Sequence, residues 1–262
     1  MSLCHIEIKN ISRSQKRGGS IARLACYISG RNLFDLFKSK KCYQKRYDVE
    51  FFKIFLPINA PPEYGDLQTL CNNINKSETR CNSRTGRHFI LSLPNELPIE
   101  EQINIVCKFT EKNFIQNDLC VIAAIHSGTN QTDPSKNNPH AHLIVSTRTV
   151  DLKGFNPKKD REHNKTEYIT VWRKGWEKEV NRAYERNGLD NRVSHESLEV
   201  QGITDREPIC HLSQSDWQKE QRGIRTYMGD RKRAIEKHNR ELQLEREQRQ
   251  EREHELEIEL SR

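Results

Sequence analysis

Two histidines one residue apart, His140 and His142, open the apolar run Leu143-Ile144-Val145, just after Asn138-Pro139. The run is rich in β-branched residues and reads as a strand. Successive strand side chains point to opposite faces, so both imidazoles share one face with Ile144 and Ser146. Two neutral imidazoles side by side can hold a divalent metal, but they lack a third ligand. Two polar residues on the solvated face of an edge strand would give the same pattern. The pair alone does not separate the two readings.

The preceding segment, Leu119-Cys120-Val121-Ile122-Ala123-Ala124-Ile125, is almost wholly apolar and ends at His126. It has the composition of a central buried strand. A loop from Ser127 to Pro139, rich in Gly, Asn, Asp, Ser and Pro, joins it to the His140 strand. Strands joined this way pair antiparallel, which returns His126 to the neighbourhood of His140 and His142. Three imidazoles with positions left open are how catalytic metal sites are built.

A nucleophile candidate lies far upstream. Ser20 offers an N-cap, and Ile21 to Ser29 reads as a helix ended by Gly30. Arg23 and Tyr27, four apart, are neighbours on its surface. A guanidinium favours phenolate over phenol and also holds phosphate oxygens. Tyr27 taken alone reads first as a packing residue. The loop before the helix, Ser12-Arg13-Ser14-Gln15-Lys16-Arg17-Gly18-Gly19, is basic and Gly-rich. Arg17 there, and Arg31 beyond the helix, are candidates to contact a phosphate backbone; an ordinary solvated loop is the alternative.

Around these residues the chain reads as mixed α and β. Residues 3–9, 50–56 and 87–93 read as further strands, the last two stopped by Pro57 and Pro94. Residues 63–78, 98–117 and 167–187 read as amphipathic helices. Residues 31–48 are polar and basic, with Tyr43 and Tyr47, and carry no periodic signal. Residues 192–212 read as a short strand and loops, with His195 and His211 as surface or packing residues. Residues 231–262 hold nine Lys or Arg and nine Asp or Glu. The tail is therefore neutral and reads as a solvent-exposed charged helix without a sustained heptad. The expected division is a folded body over 1–212 and a charged helical tail over 213–262.

The 262 residues carry a net charge of +7, all of it in residues 1–230, and a pI near 9.0. That balance favours an anionic partner, nucleic acid first. No stretch approaches the ~20 apolar residues needed to span a bilayer, and the first residues lack the pattern of a signal peptide. The eight cysteines form no CxxC pair. A cytoplasmic protein with reduced thiols and no membrane insertion is the expectation.

Taken together, the blocks resemble the MobA/MobL family of plasmid mobilisation relaxases, the MobQ class. Gly18-Gly19-Ser20-Ile21-Ala22-Arg23-Leu24-Ala25-Cys26-Tyr27-Ile28 is similar to that family's nucleophile helix. Tyr47-Asp48-Val49, Leu56-Pro57-Ile58-Asn59-Ala60-Pro61 and Leu93-Pro94-Asn95-Glu96-Leu97 follow in the family's order. His126 with Asn138-Pro139-His140-Ala141-His142 is the most specific block. Gly154-Phe155, Trp176-Glu177 with Asn181, and Gln201-Gly202 with Pro208 continue the pattern to about residue 212.

The resemblance implies an α+β fold of HUH-endonuclease type, an antiparallel sheet with flanking helices. It implies a metal-dependent relaxase that nicks and rejoins single-stranded origin-of-transfer DNA through a 5′-phosphotyrosyl intermediate on Tyr27. Arg23 would assist Tyr27, and His126, His140 and His142 would hold Mg²⁺ or Mn²⁺. Implied partners are the origin strand, accessory mobilisation proteins and a coupling protein. One departure stands out. Several family members carry acidic residues where this chain reads Arg87-His88-Phe89-Ile90. Either His88 is an outer-shell or extra ligand, or Glu7 on the first strand supplies the acid, or activity is reduced.

Three rival readings remain open. An HUH-type replication initiator or transposase would place its nucleophile after the histidine pair, with Tyr168 or Tyr184 as candidates. A non-catalytic DNA-binding protein would carry a vestigial metal site. A zinc-stabilised binding module would unfold on chelation.

Overall fold

A computed structural model describes residues 5–13, 20–36, 38–130, 133–134 and 137–260. The expected loop residues 14–19, Arg17 among them, and the start of the first expected strand lie outside the described residues. The chain forms two compact units, Met1–His195 and Glu196–Arg262.

The first unit is built on an antiparallel sheet. Its strands are β1 (Ile6–Ser12), β4 (Val49–Phe55), β5 (Arg84–Ser92), β6 (Leu119–His126) and β7 (His140–Asp151). They run in the order β1-β5-β7-β6-β4, with β8 (Gly154–Phe155) paired to β7. A separate hairpin joins β2 (Leu33–Asp35) and β3 (Lys40–Cys42). The helices are α1 (Ile21–Ser29), α2 (Leu67–Ser77), α3 (Ile99–Asn113) and α4 (Glu167–Arg186).

Strand alternation sorts the side chains into two apolar clusters, one on each face. Leu119, Val121, Ala123 and Ile125 of β6 join Ala141, Leu143 and Val145 of β7, and α3 and α4 cover them with Phe109, Trp172 and Trp176. Cys120, Ile122 and Ala124 of β6 join Ile144 of β7 on the other face, beneath Ile21, Ala25 and Ile28 of α1 and Leu70 and Ile74 of α2. Both central strands are buried on both faces, which is why β6 reads as a continuous apolar run. The architecture is thus α+β, an antiparallel sheet with flanking helices, as expected.

Parity places the histidines. His126, His140 and His142 share the even-numbered face with Ile122, Ala124 and Ile144, the face that α1 covers. His88 of β5 lies directly opposite Ile144 and so belongs to the same face. Gly86, also on that face, admits α1: a Cβ there would stand 2.9 Å from Ile21 Cδ1 and 3.1 Å from the Val145 carbonyl. With a side chain at that position the helix would ride higher over the sheet.

Several elements differ from the sequence reading. Residues 31–48, to which the sequence reading assigns no element, contain the β2–β3 hairpin. Its strands are three residues each, too short for a periodic signal. Residues 192–212 contain turns and no described strand. Val193 in this stretch packs into the cluster beneath α3 and α4.

The second unit consists of α5 (Gln214–Gln221) and α6 (Tyr227–Leu260) with the preceding loop. Ser213 caps α5 by accepting the Asp216 N–H. The Glu220 carboxylate accepts the Thr226 N–H and hydroxyl and pairs with Arg233, fixing the corner between the helices. Beyond that corner α6 is exposed along most of its described length, the arrangement a neutral charged helix without an apolar stripe adopts.

Candidate metal centre and tyrosine

The hairpin of β6 and β7 places His126 directly opposite His140, with Ala124 opposite His142. One ring nitrogen from each of His126, His140 and His142 lies within 4.8 Å of the others. Among the described residues this is the one group of His, Cys, Asp or Glu close enough to hold a metal.

Each ring has one nitrogen tied and one left for a ligand. His126 donates from Nε2 to the Ile28 carbonyl at 2.8 Å, and its buried Nδ1 has no partner. His140 donates from Nδ1 to the Asn138 carbonyl at 2.7 Å, which leaves Nε2 as its lone-pair nitrogen. His142 Nδ1 meets His88 Nε2 at 2.9 Å, and its buried Nε2 has no partner. Buried polar atoms without partners are costly, and two at one point call for a ligand. The residues present therefore fit a divalent metal: three neutral imidazoles, each oriented by an outer hydrogen bond.

Burial keeps His126 and His142 neutral. Burial holds His126 down at about 4, against the upward pull of its Ile28 hydrogen bond and with help from Arg46 and His140. Burial and the neighbouring His88, His140 and His126 push His142 far below the usual imidazole range. Neutral rings keep the lone pairs that metal binding requires.

The loop that delivers His140 closes through Gly128. Its φ of +55° lies in the left-handed region, and a Cβ would stand 2.1 Å from the Asn138 oxygen. That close approach lets the Asn138 N–H reach the Gly128 carbonyl at 3.0 Å. Asn138 then presents its own carbonyl to His140.

Tyr27 sits above this cluster. Helix α1 begins at Ser20, whose Oγ accepts the Arg23 N–H, and ends at the left-handed Gly30. Its apolar stripe faces the sheet and leaves Tyr27 at the edge, 40% exposed. The tyrosine ring meets His126 edge-on at 6.1 Å between centroids and His142 at 5.9 Å. The cation over the ring is Arg46, with its guanidinium carbon 4.5 Å from the centroid. Asp48 holds Arg46 through both Nε, at 2.8 Å, and Nη2. That hydrogen-bonded pair takes the Asp48 carboxyl down to about 2.

Arg23 is exposed on the same helix one turn before Tyr27. Arg31 lies over Phe52 at 4.4 Å, beside the strand that pairs with β6. Glu7 forms an ion pair with Lys9 at 2.8 Å and does not join the metal-holding group. His88 is a hydrogen-bond partner of His142. His195 pairs with Glu177, away from the cluster.

Arg46 was not singled out by sequence reasoning. It is far from Tyr27 along the chain, so no helical or strand period links them. The Tyr47-Asp48 block beside it was the nearest signal, and it carried no assigned role.

The MobA/MobL family model matches residues 19–222. Mobilization protein A of Escherichia coli is 30% identical over 248 residues, covering 88% of this chain and 32% of that protein. A probable mobilization protein MobA of Bifidobacterium longum is 27% identical over 154 residues, covering 58% of this chain and 26% of that protein. The chain thus spans about a third or less of the length of these curated relatives. The solved structure described as "Molecular Basis of Vancomycin Resistance Transfer in Staphylococcus aureus" is 29% identical, with a TM-score of 0.64. It covers 74% of this chain and 98% of that one.

Proposed function

This chain belongs to the MobA/MobL family, and on that premise we propose that it is a relaxase acting in the cytoplasm. It nicks and rejoins single-stranded origin-of-transfer DNA through a covalent tyrosine link, initiating mobilisation of a plasmid. The observation that carries the reading is the set of three imidazoles, each with one free nitrogen, beneath an exposed-edge tyrosine.

Tyr27 is the nucleophile. Its phenolic oxygen forms a bond to the scissile phosphorus while the bond to the 3′-oxygen breaks, leaving a 5′-phosphotyrosyl link and a free 3′-hydroxyl. The phosphodiester energy is conserved, so the same strand can be rejoined by the reverse attack. Arg46 offsets charge on the phenolate and on the phosphate, and Asp48 keeps it in place. Arg23 lies one turn away to contact the strand, with Arg31 and Arg17 as further backbone contacts. His126, His140 and His142 would hold Mg²⁺ or Mn²⁺, which would supply Lewis-acid charge to the phosphate. Imidazole does not select Mg²⁺ strongly, so Mn²⁺ is the metal to test in vitro.

The rival tyrosines favour this assignment. Tyr184 is fully buried and Tyr168 packs against His163 and Trp172. Both belong to the cluster on the other face of the sheet. The body that does the chemistry is proposed to span 1–212, with 213–262 as a charged helical tail; accessory mobilisation proteins and a coupling protein are the proposed protein partners. No helix among the described residues is long and apolar enough to cross a membrane.

The test is an adduct assay on candidate origin strands with Mn²⁺. Covalent attachment in the parent, lost in both Tyr27→Phe and His140→Ala, supports the reading. Attachment retained in Tyr27→Phe sinks the assignment of Tyr27. Binding without any adduct on any strand favours a non-catalytic DNA-binding protein.

A further inference from the structure

Apart from Arg46 and Asp48, the β2–β3 hairpin and the segment behind it do no work in the chemistry above, yet they expose several aromatic rings. On the hairpin, Leu33 and Asp35 are buried, whereas Phe34 faces outward at 38% exposure, paired across the ladder with Lys41. Tyr43 is 67% exposed and Tyr47 84%. Phe34 is held rather than mobile. Gln68 of α2 accepts its N–H at 2.7 Å and donates to its carbonyl at 2.8 Å, acting as a one-residue strand partner.

Charge accompanies the rings. Residues 31–48 hold six Lys or Arg against two Asp. Both acids are engaged inward: Asp35 is buried and accepts the Lys38 N–H at the hairpin turn, and Asp48 holds Arg46. What remains outward is basic, and Lys45 lies 5.2 Å from the Tyr47 ring centroid. The hairpin packs on α1, with Leu33 in the same cluster as Ile21 and Ile28. The Arg46 that precedes Tyr47 reaches over Tyr27 itself.

We propose that Phe34, Tyr43 and Tyr47, interleaved with Lys38, Lys40 and Lys41, form a stacking track for unpaired bases of the single strand that Tyr27 attacks. This rests on the function proposed above. Exposed rings set among cations fit single-stranded DNA, because every base has a face to stack and every linkage a charge to meet. A duplex offers no free base faces.

The test is fluorescence anisotropy of the full chain with fluorescein-labelled dT20. Phe34→Ala, Tyr43→Ala and Tyr47→Ala each weaken binding by roughly tenfold, while Tyr43→Phe and Tyr47→Phe stay within about twofold. Lys40→Ala and Lys41→Ala each lower the salt slope by about 0.7. A second measurement needs no variant: dT20 carrying 5-iododeoxyuridine, irradiated with the parent chain, cross-links at Phe34, Tyr43 or Tyr47. Parent-like dT20 binding by the triple alanine variant, equal loss in the Phe and Ala variants, or cross-links confined to other regions each overturns the proposal. A chain that binds dT20 through these rings but never forms an adduct overturns the nicking function and leaves the track standing. Adduct formation with no dependence on the rings does the reverse.

Discussion

Removing His88 should loosen the metal centre without touching a ligand. The His142 nitrogen that faces the other imidazoles is Nε2, so its proton must sit on Nδ1, and Nδ1 faces His88 Nε2 at 2.9 Å. His88 therefore accepts that proton and fixes both the tautomer and the ring orientation. In His88→Ala the Nδ1–H of a nearly fully buried ring loses its acceptor. An unsatisfied buried donor costs about 1–3 kcal/mol, and losing an outer-shell partner lowers metal affinity about 10–100-fold; the two figures describe one effect. Isothermal titration of Mn²⁺ into parent and His88→Ala protein at neutral pH measures it. His88→Gln, whose side-chain oxygen can still accept, should recover part of the loss. Mn²⁺ affinity in His88→Ala within twofold of the parent would refute the reasoning. A loss as large as that of His140→Ala would instead make His88 a fourth ligand.

Arg46→Ala should slow adduct formation roughly 5- to 30-fold, the value of ~1–2 kcal/mol from a cation over an aromatic face. Arg46→Lys should restore it only in part, because the paired hold by Asp48 is lost; a parent-like rate in Arg46→Ala defeats this. Acid should destabilise the metal-free protein. Burial holds both His126 and His88 at about 4. The unfolded chain therefore binds more protons below about 6.5, and stability is full above that pH and falls towards pH 4. The slope is about 1.4 kcal/mol per pH unit for each ring while the two states differ by a whole proton. Urea midpoints from pH 7 to pH 4 follow it, and a flat profile contradicts the neutral-ring assignment. Gly128→Ala should cost about 1–2 kcal/mol and also weaken Mn²⁺ binding, since the added Cβ pushes on the carbonyl that orients His140. Thermal melts with and without Mn²⁺ separate the two effects, and unchanged melts in both conditions exclude the clash.

The parts legible in the sequence were those with a period or an end signal. Ser20 and Gly30 bracket α1 to the residue, and the apolar run 119–125 gives a central strand with His126 at its end. Loop composition then implies the β6–β7 pairing, and alternation alone puts His140 and His142 on one face. What could not be read was contact between residues distant along the chain and joined by no repeat. The packing of α1 onto the sheet, permitted by the absent side chain at Gly86, decides that Tyr27 overlies the histidines. The chain reversal before β4 decides that Arg46, rather than the helical neighbour Arg23, stacks on the Tyr27 ring. The role of His88 shows only once β5 is registered against β7, because a histidine in an apolar strand has the same appearance whether it braces a ligand or simply packs.

The Ile28 carbonyl ties these parts together. It belongs to the residue after Tyr27 and accepts the His126 Nε2–H. Tyr27 and His126 thus share one backbone link, so a rocking of α1 would pull on His126. In the proposed nicking and resealing, forward and reverse attack would pass through the same arrangement of atoms, and a linkage of this kind would preserve it while the tyrosine carried the DNA. It makes the helix end a hinge that cannot open on one side alone.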